Sequence, residues 1–242
     1  MSRYEGLRVL LTGAGSGIGK AVAARVAAEG ATVVSLDLKT DGIETGTPVA
    51  CDVSDPEAVE GALRTAVAEL GGLDVVFNIA GIGHFRNTHE ETFEGFARII
   101  AVNLTGTFNV CRSALPHLLR NEAGGAIVNT ASTAGLIGQP WSAGYCASKG
   151  GVVMLTKALA YEYRDRKVRV NAVAPGGVDT PIAGAFAESF PPDANLALID
   201  RITSPMGMMH PDEVANAFAF VGSPEARYMT GAIVTVDGGV TS

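Results

Sequence analysis

The chain has 242 residues, of which 47% are hydrophobic and 18% charged, and its formal net charge is −7. This length and apolar content fit one α/β domain with a large core and exclude intrinsic disorder. The acidic balance argues against a nucleic-acid partner, which usually meets a basic face. The sequence predicts no membrane span and no signal peptide, and its three cysteines fit neither a metal site nor a disulfide framework. A cytoplasmic protein is therefore expected.

Short apolar segments alternate with longer helical patterns along the chain. The segments are apolar nearly throughout, which is typical of parallel strands covered on both faces. Strands are predicted at residues 8–11, 32–36, 49–51, 73–77, 126–129, 168–173 and 233–236. Helices are predicted at residues 17–29, 55–70, 93–119, 143–164 and 212–221. This alternation predicts one α/β domain over residues 1–242, a doubly wound parallel sheet of about seven strands with helices on both faces.

Two connections depart from the alternation. The link from Asp37 to Thr47 is short for a parallel crossover, so a reduced turn is expected there instead of a full helix. The stretch 181–211 is long, irregular and rich in apolar side chains, and we predict that it forms a substrate-binding lid. Plain packing under a long loop is the alternative for its Phe and Met residues, which are Phe186, Phe190, Met206, Met208 and Met209.

A glycine-rich turn follows the first strand, with the spacing T-G-x-x-x-G-x-G over residues 12–19. Glycines allow a close approach of backbone to phosphate, and a helix N-terminus offers unpaired N–H groups to a pyrophosphate. The turn therefore predicts a dinucleotide site, although a plain glycine-rich turn would also explain it. The candidate residues are Gly13, Ser16, Gly17, Ile18 and Gly19.

Asp37 ends the second predicted strand, where a carboxylate can accept hydrogen bonds from ribose hydroxyls. The same carboxylate would repel a 2′-phosphate by about 4 kcal/mol at ~4 Å and an effective dielectric constant near 20. Attraction of the 2′-phosphate to an exposed cation such as Lys39 usually contributes about 1 kcal/mol or less, which is too little to offset this repulsion. NAD is therefore favoured as the cofactor, with NADP as the alternative, unless Asp37 only caps a helix or lies in a solvated loop.

Tyr145 and Lys149 lie at i and i+4 of a predicted helix and share one face, and Ser132 follows the fifth strand. A ketone reductase needs a proton donor beside the carbonyl, and a dehydrogenase needs the same group as a base. The ordinary pKa of tyrosine, about 10, is too high for this near neutrality, and a nearby ammonium lowers it. Ser132 can hold the substrate oxygen by a hydrogen bond. Taken alone, a Tyr and a Lys at this spacing are usually just helix neighbours.

These motifs occur together and in order, and the chain closely resembles the short-chain dehydrogenase/reductase family from about residue 7 to residue 239. Besides the glycine turn and the Tyr-x-x-x-Lys pair, the fourth strand ends in N-I-A-G at residues 78–81, where the family usually has N-N-A-G. The sixth strand ends in Pro175-Gly176, with Thr180 after it. The resemblance implies a Rossmann-type fold and a nicotinamide-dependent oxidoreductase.

The resemblance also implies residue roles. Asn103 would complete a catalytic tetrad with Ser132, Tyr145 and Lys149, distorting its helix and holding a water that links Lys149 to solvent. Lys149 would also bind the nicotinamide ribose. Further cofactor contacts are implied at Asp52 and Val53 for adenine, Asn78, Ala80 and Gly81 along the cofactor, Pro175 and Gly176 after the sixth strand, and Val178 and Thr180 for the carboxamide.

Four features stay open at this stage. Ile79 replaces the family's second asparagine, and the short link after Asp37 alters the wall beside the adenosine. His84 either borders the substrate cavity or is a satisfied loop residue, and Cys146 is expected to be a packing residue. The resemblance further implies a homo-oligomer, a tetramer built partly on helix 143–164.

The sequence therefore predicts hydride transfer between NAD and a largely apolar secondary alcohol or ketone, with Tyr145 as the proton acceptor or donor. One alternative is an NADPH-dependent 3-oxoacyl-thioester reductase, which Asp37 and the acidic net charge disfavour because acyl-carrier proteins are themselves acidic. A second is a non-catalytic nucleotide-binding regulator that kept the fold. A third is another chemistry on the same scaffold, such as a dehydratase or epimerase.

Overall fold

The computed structural model describes residues 2–242 and contains one parallel sheet of seven strands. Its order is β3-β2-β1-β4-β5-β6-β7, and every neighbouring pair is parallel. This order confirms the predicted doubly wound α/β fold. The strands are β1 (Arg8–Thr12), β2 (Thr32–Asp37), β3 (Thr47–Ala50), β4 (Val75–Asn78), β5 (Gly125–Thr130), β6 (Val168–Pro175) and β7 (Ile233–Val236).

Eight α-helical segments surround the sheet in the part of the chain from residue 2 to residue 242. The five long helical patterns of the sequence are all helical here, with ends within about one or two residues of the predicted ones. The segments are α1 (Gly17–Ala28), α2 (Pro56–Leu70), α3 (Phe93–Ile100), α4 (Gly106–Leu118), α5 (Ala143–Tyr163), α6 (Pro181–Glu188), α7 (Ala197–Asp200) and α8 (Pro211–Gly222).

The central strand β1 shows why these strands read as continuous apolar runs. Leu10 packs into the core cluster that includes residues of α2, α4 and α5, whereas Val9 and Leu11 pack into the cluster with α1 and α8. All three side chains are fully buried. Burying one such side chain stabilises a fold by roughly 1.5–3 kcal/mol, so alternate residues of one strand hold helices onto opposite faces of the sheet.

The strand order reverses between β1 and β4, because the chain leaves β1 toward β2 and returns on the other side to β4. In open α/β sheets this reversal leaves a crevice outside the carboxyl ends of the strands, where ligands bind. The glycine turn after β1 and the N-I-A-G segment after β4 flank that crevice.

The short link between β2 and β3 has turns and bends over residues 38–46 and no helical residue there, as the sequence predicts. The Ser35 hydroxyl donates to the Thr45 carbonyl at 2.7 Å, which holds the link against β2. β3 runs from Thr47 to Ala50, so Cys51, predicted as its last residue, lies just beyond it.

The long helical pattern 93–119 is interrupted. Residues Ala101–Thr105 form a π-helical turn between α3 and α4, and Asn103 lies at its centre. Such single-turn insertions bulge the helix and often occur at functional sites. The distortion that the resemblance implies at Asn103 is therefore present.

The predicted lid, residues 181–211, carries the short helices α6 and α7. It returns to the domain beside its own start, through an isolated parallel bridge between Val178 and Met209. Among residues 2–242, no helix combines the length and apolar character needed to cross a membrane.

Candidate active site

One cavity of about 710 Å³ opens along the carboxyl ends of the strands and contains most of the predicted site residues. Asn78 and Asn103 are the two that lie behind its wall, at 3% and 0% exposure. The wall residues that were predicted are Gly13, Ser16, Gly17, Ile18, Gly19, Asp37, Asp52, Val53, Ala80, Gly81, Ser132, Tyr145, Lys149, Pro175, Gly176, Val178 and Thr180.

The glycine turn is a tightly packed cradle at one end of this cavity. Gly13 and Gly17 adopt positive φ angles of 72° and 50°, which only glycine adopts readily. A Cβ at Gly19 would overlap the carbonyl oxygen of Gly13. Ser16 is the N-cap of α1, and among residues 2–242 its side chain caps none of the helix N–H groups. The Ser16 hydroxyl and the first N–H groups of the helix are therefore available to an anion.

The Asp37 carboxylate lies directly beside this turn. Its Oδ2 accepts a hydrogen bond from the Gly15 amide at 2.9 Å, so the carboxylate both shapes the turn and lines the cavity. The short link also contacts the turn, since a Cβ at Gly42 would lie 2.5 Å from the Gly15 carbonyl oxygen. The reduced β2–β3 connection is thus one wall of the site.

Asp52 and Val53 line the cavity beyond Asp37. The Asp52 Oδ1 accepts from the amide and hydroxyl of Ser54 at 2.9 and 2.6 Å, and these bonds, with the nearby Arg98, hold the pKa of Asp52 below its ordinary value. Arg98 comes from α3 and lies 3.6 Å from the carboxylate. Sequence reasoning missed Arg98, because its place in the wall depends on how α3 packs.

The segment after β4 is held from beneath by Thr12, whose Oγ1 accepts from the amides of Ile79 and Ala80 at 3.0 and 3.1 Å. Ile79 therefore keeps the turn's backbone bonding without an asparagine side chain. The Asn78 amide points away from the cavity and donates to Asn129 Oδ1 at 2.9 Å.

Asn103 is fully buried, and its side-chain amide forms hydrogen bonds with both the N–H and the C=O of Ile82. Its Oδ1 accepts from the Ile82 amide and its Nδ2 donates to the Ile82 carbonyl, each at 2.9 Å. Nδ2 also donates to Ser148 Oγ at 3.0 Å. A Cβ at Gly81 would meet Asn103 Oδ1 at 3.3 Å and Lys149 Nζ at 3.6 Å, so Asn103 and Lys149 flank the same glycine.

Lys149 is 3% exposed, and its ammonium donates to the Thr130 carbonyl at 2.8 Å. Its Nζ lies 5.7 Å from the centre of the Tyr145 ring. Burial lowers the pKa of Lys149 to about 8. A cation is therefore held close beside the phenol.

Tyr145 lies one helical turn before Lys149, with its phenol against Ser132. Burial raises the pKa of Tyr145 to about 12, and the hydrogen bond with Ser132 lowers it. Ser132 Oγ also accepts from the Ala134 amide at 3.1 Å, which fixes the serine at the start of a short 3₁₀ turn. The arrangement is a proton-donating or proton-accepting group, a second hydroxyl and a cation at one end of the cavity.

The segment after β6 closes the cavity between the glycine turn and the lid. A Cβ at Gly17 would lie 2.9 Å from Thr180 Cγ2, so Thr180 packs directly on the start of α1. The Thr180 hydroxyl donates to the Val178 carbonyl at 3.2 Å.

The apolar part of the cavity lies beside Tyr145, and sequence reasoning found only the residues that the lid contributes to it. Phe85 and Ile137 line it together with the predicted lid residues Phe186, Phe190 and Met208. Phe85 could have been found from the sequence by its position, four residues after the N-I-A-G segment. Met206 is 83% exposed and lies outside the wall, whereas Met209 pairs with Val178.

The two residues left open are now placed. His84 turns from the main cavity, and its Nε2 lies 2.6 Å from Glu91 Oε2, so it is a satisfied loop residue. Cys146 is partly buried, and its thiol contacts the Gln139 carbonyl at 3.8 Å, which fits a packing residue.

Replacing Lys149 by methionine is expected to stabilise the fold. The folded-state pKa of about 8 lies below the ordinary 10.5, so the buried charge costs about 3 kcal/mol at pH 7. Loss of the bond to Thr130 offsets about 1 kcal/mol. Between pH 8 and 10.5 the unfolded wild-type chain binds more protons at Lys149 than the folded protein does, so the free energy of unfolding of the wild type rises with pH. The stability advantage of Lys149→Met over the wild type therefore shrinks over this range.

Urea denaturation of both proteins at pH 7 and pH 9.5 measures this difference. Lys157→Met, at an exposed position of the same helix, is the control and should shift little at either pH. A stability gap between wild type and Lys149→Met that does not change with pH would contradict the assignment.

Comparisons with known proteins agree on the family and differ in activity. A family model described as enoyl-(acyl carrier protein) reductase matches residues 13–241. The chain is 40% identical to 3beta-hydroxysteroid dehydrogenase 1 of Eggerthella lenta, over 98% of this chain and 94% of the relative. It is 39% identical to cyclohexanol dehydrogenase of an Acinetobacter species, over 100% and 97%.

A solved structure also matches this chain along nearly its whole length. The 3-ketoacyl-(acyl-carrier-protein) reductase from Brucella melitensis, complexed with NADH, superposes with a TM-score of 0.88 at 38% identity. The match covers 98% of this chain and 99% of that one.

Proposed function

The chain belongs to the short-chain dehydrogenase/reductase family, and on that premise we propose that it transfers a hydride between NAD and a secondary alcohol or its ketone. The observation that carries the proposal is the cavity itself. Ser132, Tyr145 and Lys149 lie at one end, and the glycine turn and Asp37 lie at the other. The chain acts as one dinucleotide-binding domain with residues 181–211 as its lid.

The residues present fit a dinucleotide. The open N-terminus of α1 and the glycine cradle suit a pyrophosphate, and the Asp37 carboxylate suits the adenosine ribose hydroxyls. By family resemblance, Lys149 would hold the nicotinamide ribose. Adenine would lie against Asp52 and Val53, the cofactor's middle along Ala80 and Gly81, and the carboxamide against Val178 and Thr180, with Asn78 supporting the turn from behind.

When bound, the nicotinamide supplies the acceptor or donor of the hydride. In the oxidation direction, the phenol oxygen of Tyr145 takes the substrate's hydroxyl proton while Ser132 Oγ holds the substrate oxygen. The ammonium of Lys149 favours the phenolate, which opposes the effect of burial on the pKa of Tyr145. Asn103 is the fourth member of the proposed catalytic tetrad, and it positions the backbone of Ile82 and of Gly81, which lies beside Lys149.

Asp37→Asn is expected to weaken the preference for NAD over NADP by about tenfold or more. The amide oxygen can still accept from the Gly15 N–H, while the charge that repels a 2′-phosphate is lost. Measuring kcat/KM with both cofactors gives the ratio. Asp41→Asn, on the same link, is the matched control. A ratio that stays at the wild-type value would show that Asp37 does not select the cofactor.

Screening varied secondary alcohols with NAD and NADP tests the proposal as a whole. Oxidation of alcohols supports it, and selective NADPH-dependent reduction of an acetoacetyl thioester would instead favour the acyl-carrier reductase. Absence of turnover on every substrate would favour the non-catalytic regulator.

Exposed apolar side chains on α4 and α5, Phe108 at 45% and Met154 at 62%, support a homotetramer built partly on α5. Light scattering during gel filtration measures the mass of the oligomer.

A cytoplasmic location remains a prediction of the sequence.

A further inference from the structure

Four aromatic side chains pack together at the cavity's substrate end, and we call them the aromatic wall: Phe85, Phe186 and Phe190, which line the cavity, and Trp141, which packs against Phe85 and Phe190. The Phe85 ring lies at the centre, 4.7 Å from both Phe186 and Phe190 and 6.1 Å from Trp141. Trp141 and Phe190 are 5.9 Å apart. Two of these residues come from the lid and two from the loops beside the catalytic residues.

Phe186 connects the aromatic wall to the reacting end. Its ring stands edge-on to the Tyr145 ring, with centres 5.1 Å apart. A Cβ at Gly83 would lie 2.5 Å from Phe186 and 2.9 Å from Tyr145, so the glycine makes the room in which the two rings meet. Phe186 therefore lines the cavity beside the Tyr145 ring, where the carbon skeleton of a substrate bound to Tyr145 can lie against it.

The position of the lid depends on this wall. Every residue of α6 keeps some exposure, so the helix has no buried core of its own among residues 181–188. Two polar bonds add to the aromatic contacts: the Phe85 amide donates to Ser189 Oγ at 2.9 Å, and Asn87 Nδ2 donates to Asp193 Oδ1 at 3.0 Å. The aromatic wall is thus preformed and held from both sides.

The substrate end lacks charge apart from Lys149. Among residues 2–242, the other charged side chains that line the cavity are Asp37, Asp52 and Arg98, all at the adenosine end. The lid itself is acidic, with three carboxylates against one guanidinium in Glu188, Asp193, Asp200 and Arg201. Such a lining binds an anionic substrate poorly, and the acidic lid repels an acidic carrier protein.

We infer that the substrate is an uncharged carbocyclic secondary alcohol or ketone, with Phe186 as the residue that selects a ring over an open chain. The inference rests on the proposed function. A rigid ring buries apolar area against the aromatic faces without losing the rotational freedom that an open chain loses on binding. In oxidation, the ring C–H bond breaks and its hydrogen leaves with both electrons to NAD, while the O–H proton passes to Tyr145 and a ring C=O forms.

Turnover of carbon-matched pairs tests the selection. Cyclohexanol is compared with 2-hexanol, and 2-decalol with 2-decanol. The wild-type kcat/KM is expected to favour the ring by about tenfold or more in each pair, which corresponds to about 1.4 kcal/mol. Phe186→Leu keeps an apolar side chain without the flat face, and its ring-to-chain ratio should fall to about threefold or less. Phe93→Leu, 91% exposed on α3, should leave the ratio unchanged.

Binding gives a readout that does not depend on turnover. Trp141 is the chain's only tryptophan, so its fluorescence in the NAD-loaded Tyr145→Phe variant reports on ligands at the aromatic wall. Cyclic alcohols should bind that complex about tenfold more tightly than their open-chain partners. Equal affinities, with equal wild-type turnover of both classes, would overturn the inference and leave the proposed function standing. Tighter ring binding with no turnover of any alcohol would support the inference and overturn the proposed function.

Discussion

Tyr145→Phe should lower kcat for alcohol oxidation by about a thousandfold or more while the protein still binds NAD. A positioned proton acceptor or donor typically contributes about 10²- to 10⁴-fold, and in the proposed function the phenol oxygen of Tyr145 is that group. The substitution removes that oxygen and keeps the ring that packs against Phe186. The loss should therefore appear in turnover, and the fold and the cofactor affinity should change little.

Steady-state kinetics and a titration of NAD binding measure the two effects separately. Tyr161→Phe is the matched control, because Tyr161 lies on the same helix at 69% exposure. It should keep wild-type turnover. Turnover of Tyr145→Phe within about tenfold of wild type would show that another group moves the proton.

Burial acts in opposite ways on the two titratable side chains at this end of the cavity, Tyr145 and Lys149. Burial raises the pKa of Tyr145 to about 12 even with the hydrogen bond to Ser132, which makes the phenolate scarce near neutrality. The same burial lowers the pKa of Lys149 to about 8, so its ammonium is retained at pH 7 at a cost in stability. That cost places a cation beside the phenol, where it favours the charged form that burial disfavours. Stability and proton transfer are therefore opposed at Lys149.

The strands and helices were largely predictable from the sequence because their apolar patterns follow from which faces are buried. Val9, Leu10 and Leu11 form a continuous apolar run, and the structure buries both faces of that strand. The link after Asp37 was too short for a helix, and it has none in residues 38–46. The end of β3 was less certain, since Cys51 is buried and its amide donates to the Asp37 carbonyl at 2.8 Å, although the strand itself ends at Ala50.

The site was predictable where its residues sit in fixed spacing on one element. Tyr145 and Lys149 share a helix, and the glycine turn is contiguous, so both could be recognised without tertiary structure. The aromatic wall could not, because Phe85 and Phe190 are brought together from 105 residues apart. Asn78 shows that a correct position along the chain does not fix where a side chain points: it lies at the end of β4 as expected, but its amide bonds Asn129 behind the cavity instead of lining it.

Gly19→Ala should reduce the affinity for NAD by about a hundredfold while wild-type secondary structure is kept. The new Cβ would overlap the carbonyl oxygen of Gly13, which is backbone and cannot turn away as a flexible side chain can. The turn must move, and with it the amides that face the phosphates. Overpacking of this kind also costs roughly 1–3 kcal/mol of stability.

Gly61→Ala separates this effect from the general consequence of adding a methyl group to a helix. Gly61 lies on α2, and its Cβ would approach nothing closer than the flexible Arg64 side chain, at 3.8 Å. That variant should bind NAD normally and gain about 0.5–1 kcal/mol, since alanine is favoured over glycine inside a helix. Calorimetric titration with NAD and thermal unfolding followed by circular dichroism give both quantities. If Gly19→Ala binds NAD as tightly as Gly61→Ala, the phosphate site does not depend on the close packing of Gly13 and Gly19, and the cofactor must be held elsewhere in the cavity.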